Sequence, residues 1–180
     1  LQWSLGANYR LHEEGRGSYR GRGFDPTEER RHVFTAFHDY RGAFYRDAEV
    51  PRDIHTLAQP YEGLVVELVD ADPAPGREAL HDWLESEHLP RMVGGRVAVS
   101  LRFDPRPLPP DKLGHVREPE AVDRRITLLH FLECDPRSVW AERFAGAAER
   151  IAAGGIGSLA MQAAFVPTRH GTDAYTDELF

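Results

Sequence analysis

Cysteine is almost missing from this 180-residue sequence, in which Cys134 is the only one. An intrachain disulfide cannot form, and metal clusters built from paired cysteines are excluded. Long apolar runs are missing too, because the segments 64–69 and 156–166 are both interrupted by polar residues and a membrane helix needs about 20 apolar residues. The first 25 residues are too polar for a signal peptide. We therefore expect a cytoplasmic protein with no membrane partner.

Positive charge is also in short supply. Lys and Arg number 22 against 29 Asp and Glu, which gives a formal net charge of −7. A chain this acidic is a poor nucleic-acid binder, so the Gly/Arg stretch 15–23 is interpreted as a flexible arm or an active-site cover. The hydrophobic content of 41% is enough for one compact domain.

The charge divides the chain near Pro60. Residues 1–59 are predicted to be an N-terminal extension, 60–168 the main domain and 169–180 a polar tail. In the extension, Gln2–His12 is a possible strand. A helix is then predicted from Asp25, where a cap residue, Pro26 and the capping-box Glu28 occur in order. Apolar residues follow at helical spacing: Val33, Phe34, Phe37, Tyr40 and Phe44.

From residue 61 the pattern alternates between strands and helices. Strands are predicted over 61–70, 97–103, 124–134 and 157–166. The first helix is predicted over 77–88, ending near Pro90. The second begins at Asp135-Pro136 and ends at Gly154-Gly155. A proline-rich loop is predicted to begin at Pro105. The order β-α-β-β-α-β is that of an α+β, ferredoxin-like unit.

Each predicted strand has two sets of side chains, because successive residues point to opposite faces of a sheet. One set is uniformly apolar and is assigned to the face that packs on the helices. The other set is apolar with isolated polar groups, a composition typical of a small-molecule pocket. Its polar members are Glu67, Ser100, Arg102, His130 and Gln162, and it also carries Val65, Val69, Ile126, Leu128 and Leu132.

The first predicted helix adds an ionisable pair to this picture. Leu80, Trp83 and Leu84 form its apolar stripe, and Glu87 falls on the same stripe by angle. A buried carboxylate is costly unless it is paired or faces a cavity. His88 follows at the helix end, and an imidazole suits general acid–base chemistry; capping of the helix carbonyls is the alternative role.

The segment Trp83-Leu84-Glu85-Ser86-Glu87-His88-Leu89-Pro90 resembles the Trp/Tyr…Glu-His-x-Pro signature of EthD-like proteins, over roughly residues 60–168. The resemblance implies a dimeric α+β barrel, in which two ferredoxin-like sheets pack together and each pocket lies between a sheet and its helices. The histidine that matches the signature is His88. The superfamily includes cofactor-free monooxygenases, cyclases, isomerases and haem enzymes, so the reaction stays open.

We expect an enzyme without a cofactor that isomerises, cyclises or eliminates from a small apolar carbonyl or aromatic substrate. His88 would move protons, with Glu67 or Glu87 orienting it and His130 as the next candidate. Arg102 would hold a carboxylate or enolate oxygen. The remaining predicted substrate-binding residues are Ser100, Trp83, Tyr61 and Gln162. A cofactor-free or haem-dependent oxygenase and a non-catalytic ligand-binding or assembly module are the alternatives.

Two cofactor sites and one assembly state are further hypotheses. His81, Glu85 and His88 lie at helical spacing and could hold a transition metal, and His88 or His130 could be an axial haem ligand. A homodimer is expected, because a sheet covered by helices on one face only leaves an apolar face to bury.

Overall fold

The computed structural model describes residues 36–47, 49, 59–111 and 121–167. Its strands are β1 (Phe37–Tyr45), β2 (Gly63–Ala71), β3 (Val97–Arg106), β4 (Arg125–Leu132) and β5 (Gly157–Phe165). The first helix consists of α1 (Arg77–Trp83), a π turn (Leu84–His88) and α2 (Leu89–Met92). The second consists of a 3₁₀ turn (Pro136–Ser138), a second π turn (Trp140–Phe144) and α3 (Ala147–Ala153). The predictions on residues 1–35, including the possible strand Gln2–His12 and the helix start at Asp25, lie outside the described residues, as does the polar tail.

The strands form one antiparallel five-stranded sheet in the order β1-β3-β4-β2-β5. With its two helices, this α+β architecture is compatible with a ferredoxin-like fold. The strands predicted from residue 61 onwards are confirmed within a few residues at their ends. β2 lies between β4 and β5, so Glu67 is directly opposite Leu128 on one side and Gln162 on the other.

The predicted N-terminal helix is wrong where it can be compared with the structure. Phe37, Tyr40 and Phe44 lie in β1, which pairs with the edge of β3. Phe37 and Tyr40 are 48% and 58% exposed, so the helical spacing does not mark a buried helical face. Pairing with β1 satisfies backbone groups of β3 that would otherwise stay open at a sheet edge. The sheet thus includes a fifth strand, β1, from the part of the chain before residue 60.

The assignment of the two sheet faces is also reversed. The helices pack on the face that carries the polar groups, and the core residues there are completely buried. One cluster joins Leu80, Leu84 and Ile151 of the helices to sheet residues Val69, Ala71, Ile126 and Leu128. A second joins Met92 and Phe144 to Val65, Val97 and Leu132. In the described part of the chain, no helix covers the uniformly apolar set, which includes Leu64, Val66, Leu129 and Phe131.

An irregularity in β3 explains one further departure from simple alternation. The register shifts between Val97 and Val99, so that Val97 is opposite Leu132 while Val99 is opposite Phe131. A bulge of this kind moves neighbouring side chains to the other face. Val97 therefore packs under the helices, although strict alternation groups it with Val99.

The first helix continues through Pro90 instead of ending before it. Its π turn closes with a hydrogen bond from Leu89 N–H to the Leu84 carbonyl, and α2 then begins at Leu89. Pro90 is the second residue of α2, which follows the π turn directly. The wider turn places His88 against the core and Glu87 in solvent, with 2% of His88 exposed. The prediction that Glu87 belongs to the buried stripe is therefore wrong.

The second helix begins as its sequence predicts. The Asp135 carboxylate accepts a hydrogen bond from Arg137 N–H at 2.9 Å, and Pro136 occupies the first turn. In contrast, Pro105 lies in β3 opposite His38 and not in a loop. Among the described residues, no helix is long and apolar enough to cross a membrane.

Candidate functional site

The site is built around Glu67, which is completely buried in the middle of β2, an interior strand of the sheet. One oxygen, Oε2, contacts Nε2 of His130 at 3.2 Å and Nε2 of His88 at 3.3 Å. His130 comes from the neighbouring strand β4, and His88 comes from the π turn above the sheet. A single carboxylate thus joins two histidines that are 42 positions apart in the chain.

The second nitrogen of His130 is engaged as well. Its Nδ1 lies 2.7 Å from Ser100 Oγ, and Ser100 is directly opposite His130 in the β3–β4 pairing. Both residues are completely buried. The Phe144 ring packs edge-on against the His130 ring, with centroids 5.7 Å apart. His130 is therefore held on both nitrogens and has no position from which to contact solvent.

Gln162 completes the surroundings of the carboxylate. It donates from Nε2 to Glu67 Oε1 at 2.7 Å and to the Phe144 carbonyl at 3.2 Å. The second contact captures a carbonyl at the end of the second π turn. Gln162 therefore ties β5, the second helix and Glu67 together. With all three partners bound, the buried carboxylate is well satisfied, as burial of a charge requires.

The electrostatics of the site favour an ionised Glu67. Burial alone would raise the pKa of Glu67, but attraction to His130 and hydrogen bonds from His130 and His88 outweigh it. The net result is that the pKa of Glu67 lies well below its ordinary value. Because an ionised carboxylate can only accept hydrogen bonds, both histidines donate to it from Nε2.

The His88 ring is fixed by its aromatic neighbour. The Trp83 indole stacks on it with centroids 5.6 Å apart and planes inclined by 23°. Trp83 in turn lies against Gly154, where a Cβ would be only 2.9 Å from indole Cε2. The absence of a side chain at Gly154 lets the second helix end against this ring. Trp83 and His88 are thus held in one arrangement from both sides.

A cavity of about 400 Å³ opens beside this ring pair, within the size range of small-molecule sites. It lies between the two helices, and His88 is the member of its lining that contacts Glu67. The residues that line it are Trp83, Glu87, His88, Arg91, Arg150, Ala153 and Gly154. The buried network therefore meets the wall of this cavity at His88.

Of the residues predicted from sequence, Glu67, His88, His130, Ser100 and Gln162 form one connected network. Trp83 and Glu87 line the cavity, but Glu87 is an exposed residue paired with Arg91 at 3.3 Å. Tyr61 lies elsewhere, with its ring against Phe131 at 5.1 Å. Tyr61 therefore contacts neither the network nor the cavity.

Arg102 belongs to a second buried cluster farther along β3. It donates to the His81 carbonyl at 3.3 Å and to Glu85 at 3.2 Å, and it is not among the residues that line the cavity. His81 Nε2 contacts Asp104 Oδ1 at 2.7 Å. Burial lowers the pKa of His81, although attraction to Asp104 partly offsets this.

These contacts separate the three residues of the proposed metal site. His81 contacts Asp104, Glu85 contacts Arg102, and His88 contacts Glu67. Within the part of the chain that the structure describes, no group of three or more His, Cys, Asp or Glu side chains is arranged to hold a metal ion.

Sequence reasoning missed four residues that line the cavity, namely Arg91, Arg150, Ala153 and Gly154. Arg150 and Gly154 lie on the second helix and at its end, where the sequence suggests only a solvent-exposed arginine and a helix stop. They line the cavity because the second helix closely approaches Trp83. No local sequence pattern predicts this approach. Comparison with family models, curated proteins and solved structures found no match to this chain.

Proposed function

We propose that this protein is a cofactor-independent enzyme that removes and returns a proton on a small carbonyl or aromatic molecule, with His88 as the general base. The observation that carries the proposal is that His88 both lines a cavity of about 400 Å³ and contacts the buried Glu67 carboxylate at 3.3 Å. Isomerisation removes such a proton and returns it to another atom, whereas cyclisation and elimination begin with its removal. The Trp83–Pro90 motif supports an EthD-like relationship as part of this proposal.

The tautomer of His88 supports the role of a base. With Nε2–H donated to Glu67, the neutral ring carries its lone pair on Nδ1. The hydrogen bond that fixes the His88 ring is made by Nε2, to Glu67 Oε2. In the proposed mechanism Nδ1 is the ring nitrogen that meets the substrate and accepts its proton.

Glu67 has the role that a buried carboxylate plays behind a catalytic histidine. It holds the ring in one tautomer and orientation, and it stabilises the imidazolium that forms when His88 accepts a proton. His130 and Gln162 keep Glu67 itself in place. Glu67, His130, Ser100 and Gln162 are therefore positioning residues, and His88 is the residue that touches substrate.

A dimeric α+β barrel is the proposed assembly. The apolar residues on the face opposite the helices include Tyr40 and Phe165, which are 58% and 51% exposed. Packing against the same face of a second copy would bury them, and two-fold pairing is the commonest symmetric arrangement.

Proton abstraction can be tested without knowledge of the natural substrate. The intact protein is incubated in D₂O with a panel of aryl ketones and β-keto esters, and loss of the C–H signal next to the carbonyl is followed by NMR. We expect exchange to be accelerated for members that fit the cavity. His88→Ala should lower the accelerated rate on the order of 10²–10⁴-fold, the usual worth of general acid–base catalysis.

His81→Asn is the matched control, because His81 is a buried histidine on the same helix that also contacts a carboxylate. It should keep the accelerated exchange. Equal rates in wild type and His88→Ala would remove His88 from the mechanism. Ligand binding without exchange of any panel member would identify a non-catalytic binding module instead.

A further inference from the structure

Arg150 is a guanidinium on the cavity wall without a carboxylate partner among the described residues. Its Nη2 donates to the Arg143 carbonyl at 2.6 Å and contacts Met92 Sδ at 3.7 Å. These contacts fix the planar group and leave Nε and Nη1 without a hydrogen-bond partner in the described part of the chain. Arg150 is only partly buried and is one of the residues that line the cavity.

The neighbouring arginines differ from Arg150 in this respect. Arg91 pairs with Glu87 at 3.3 Å, and Arg143 pairs with Glu142 at 3.0 Å. With Glu87 and Arg91 cancelling each other, the charged side chains that line the cavity sum to one unbalanced positive charge, that of Arg150. An acidic group within the cavity would supply the missing partner.

We infer that Arg150 binds a carboxylate of the substrate, so that the ligand of this cavity is a small apolar or aromatic carboxylic acid. The guanidinium fork matches a carboxylate with two parallel hydrogen bonds. Trp83 and Ala153 supply apolar wall beside it, and His88 lies on the same cavity. The role expected from sequence for Arg102 thus falls to Arg150. The statement that the carboxylic acid is a substrate rests on the proposed function. Its binding to Arg150 does not.

Binding of two matched probes tests it directly. Phenylacetate and phenylacetamide have the same ring and nearly the same shape, and differ in charge. Titration of the full chain followed by NMR should give a preference for phenylacetate on the order of tenfold or more, as expected for charge-assisted hydrogen bonds. Arg150→Gln should remove the preference and leave the affinity for phenylacetamide unchanged.

The double variant Glu87→Gln/Arg91→Gln is the control at the same cavity, because it removes an exposed ion pair without changing the net charge of the lining; it should keep the preference. Arg150→Lys is a second variant that keeps the charge without the fork, and it should retain only part of the preference. Wild type that binds both probes equally, or neither, would overturn the inference, as would a full preference in Arg150→Gln.

His88→Ala separates the two proposals. Its cavity keeps Arg150, so it should retain the preference for phenylacetate even though exchange is lost. A retained preference together with no catalysed exchange in wild type would leave the carboxylate site standing and refute the proposed reaction. The reverse result, exchange without a charge preference, would refute the carboxylate site alone.

Discussion

Gly154 and Trp83 meet so closely that a Cβ at residue 154 would lie 2.9 Å from indole Cε2 and 3.1 Å from Nε1. The backbone φ of Gly154 is −66°, a value open to any residue, so contact with the indole ring is the reason for glycine here. Because Trp83 also stacks on His88, one methyl group at residue 154 would act on the candidate base.

We predict that Gly154→Ala displaces the indole, lowers the free energy of unfolding by about 1–3 kcal/mol as overpacking does, and reduces His88-dependent exchange. Tryptophan fluorescence and urea unfolding measure the structural part. Gly155→Asn is the control, because nothing lies within 4 Å of a Cβ there and Asn tolerates its φ of +67°. Equal losses of stability and of exchange in the two variants would contradict the importance of the contact between Gly154 and Trp83.

Ionised Glu67 should make the fold sensitive to acid. Its pKa in the folded state lies below the ordinary value of 4.5, so the unfolded chain binds a proton more readily. The stability that ionised Glu67 contributes is therefore fully present above pH 4.5 and is lost as the pH falls below it. Urea unfolding between pH 7 and pH 3 should show a smaller acid-induced loss for Glu67→Gln than for wild type. If the free energy of unfolding falls equally with pH in both proteins, Glu67 is not the group that causes the acid sensitivity.

Asp104 is predicted to be a major contributor to stability. Its buried carboxylate contacts His81 at 2.7 Å and Arg41 at 3.0 Å. Asp104→Asn removes the negative charge that His81 and Arg41 contact. It should lower the free energy of unfolding by about 2–4 kcal/mol. This is less than the loss on breaking a fully buried ion pair, because Arg41 is partly exposed.

Asp39→Asn is the matched control, since Asp39 forms an exposed ion pair with Arg106 between the same two strands. It should change the free energy of unfolding by less than about 1 kcal/mol. Chemical denaturation of both variants makes the comparison, and similar losses would show that burial of Asp104 is not decisive.

The sheet face opposite the two described helices should bind a second copy of the chain. Sedimentation at micromolar concentration should give twice the chain mass of 20.3 kDa. Phe165→Glu should shift the protein towards the monomer, because Phe165 is exposed on this face opposite Leu64. Phe37→Glu, at a similarly exposed aromatic residue whose side chain points to the other face of β1, should leave the dimer intact. A wild-type mass near 20.3 kDa would refute the dimer.

Local patterns in the sequence determine the elements from residue 61 onwards. Alternation predicts β2 and β4, and Asp135-Pro136 predicts the start of the second helix, since both signals depend on neighbours along the chain. The same patterns also group Glu67, Ser100, His130 and Gln162 on one sheet face. That grouping needs only the period of a strand and its pairing partners, and it accounts for most of the candidate network.

Tertiary structure alone decided which face the helices cover, because both sets of strand residues are apolar enough to form a core. It also decided that Phe37 and Tyr40 lie in a strand, since their spacing suits a helix and only the open edge of β3 favours pairing. Finally, the π turn at Leu84–His88 turned His88 inward and Glu87 outward. The π turn shifts the helical register by one residue, and the contacts of His88 with Trp83 and Glu67 favour this shift. No pattern in the sequence indicates it.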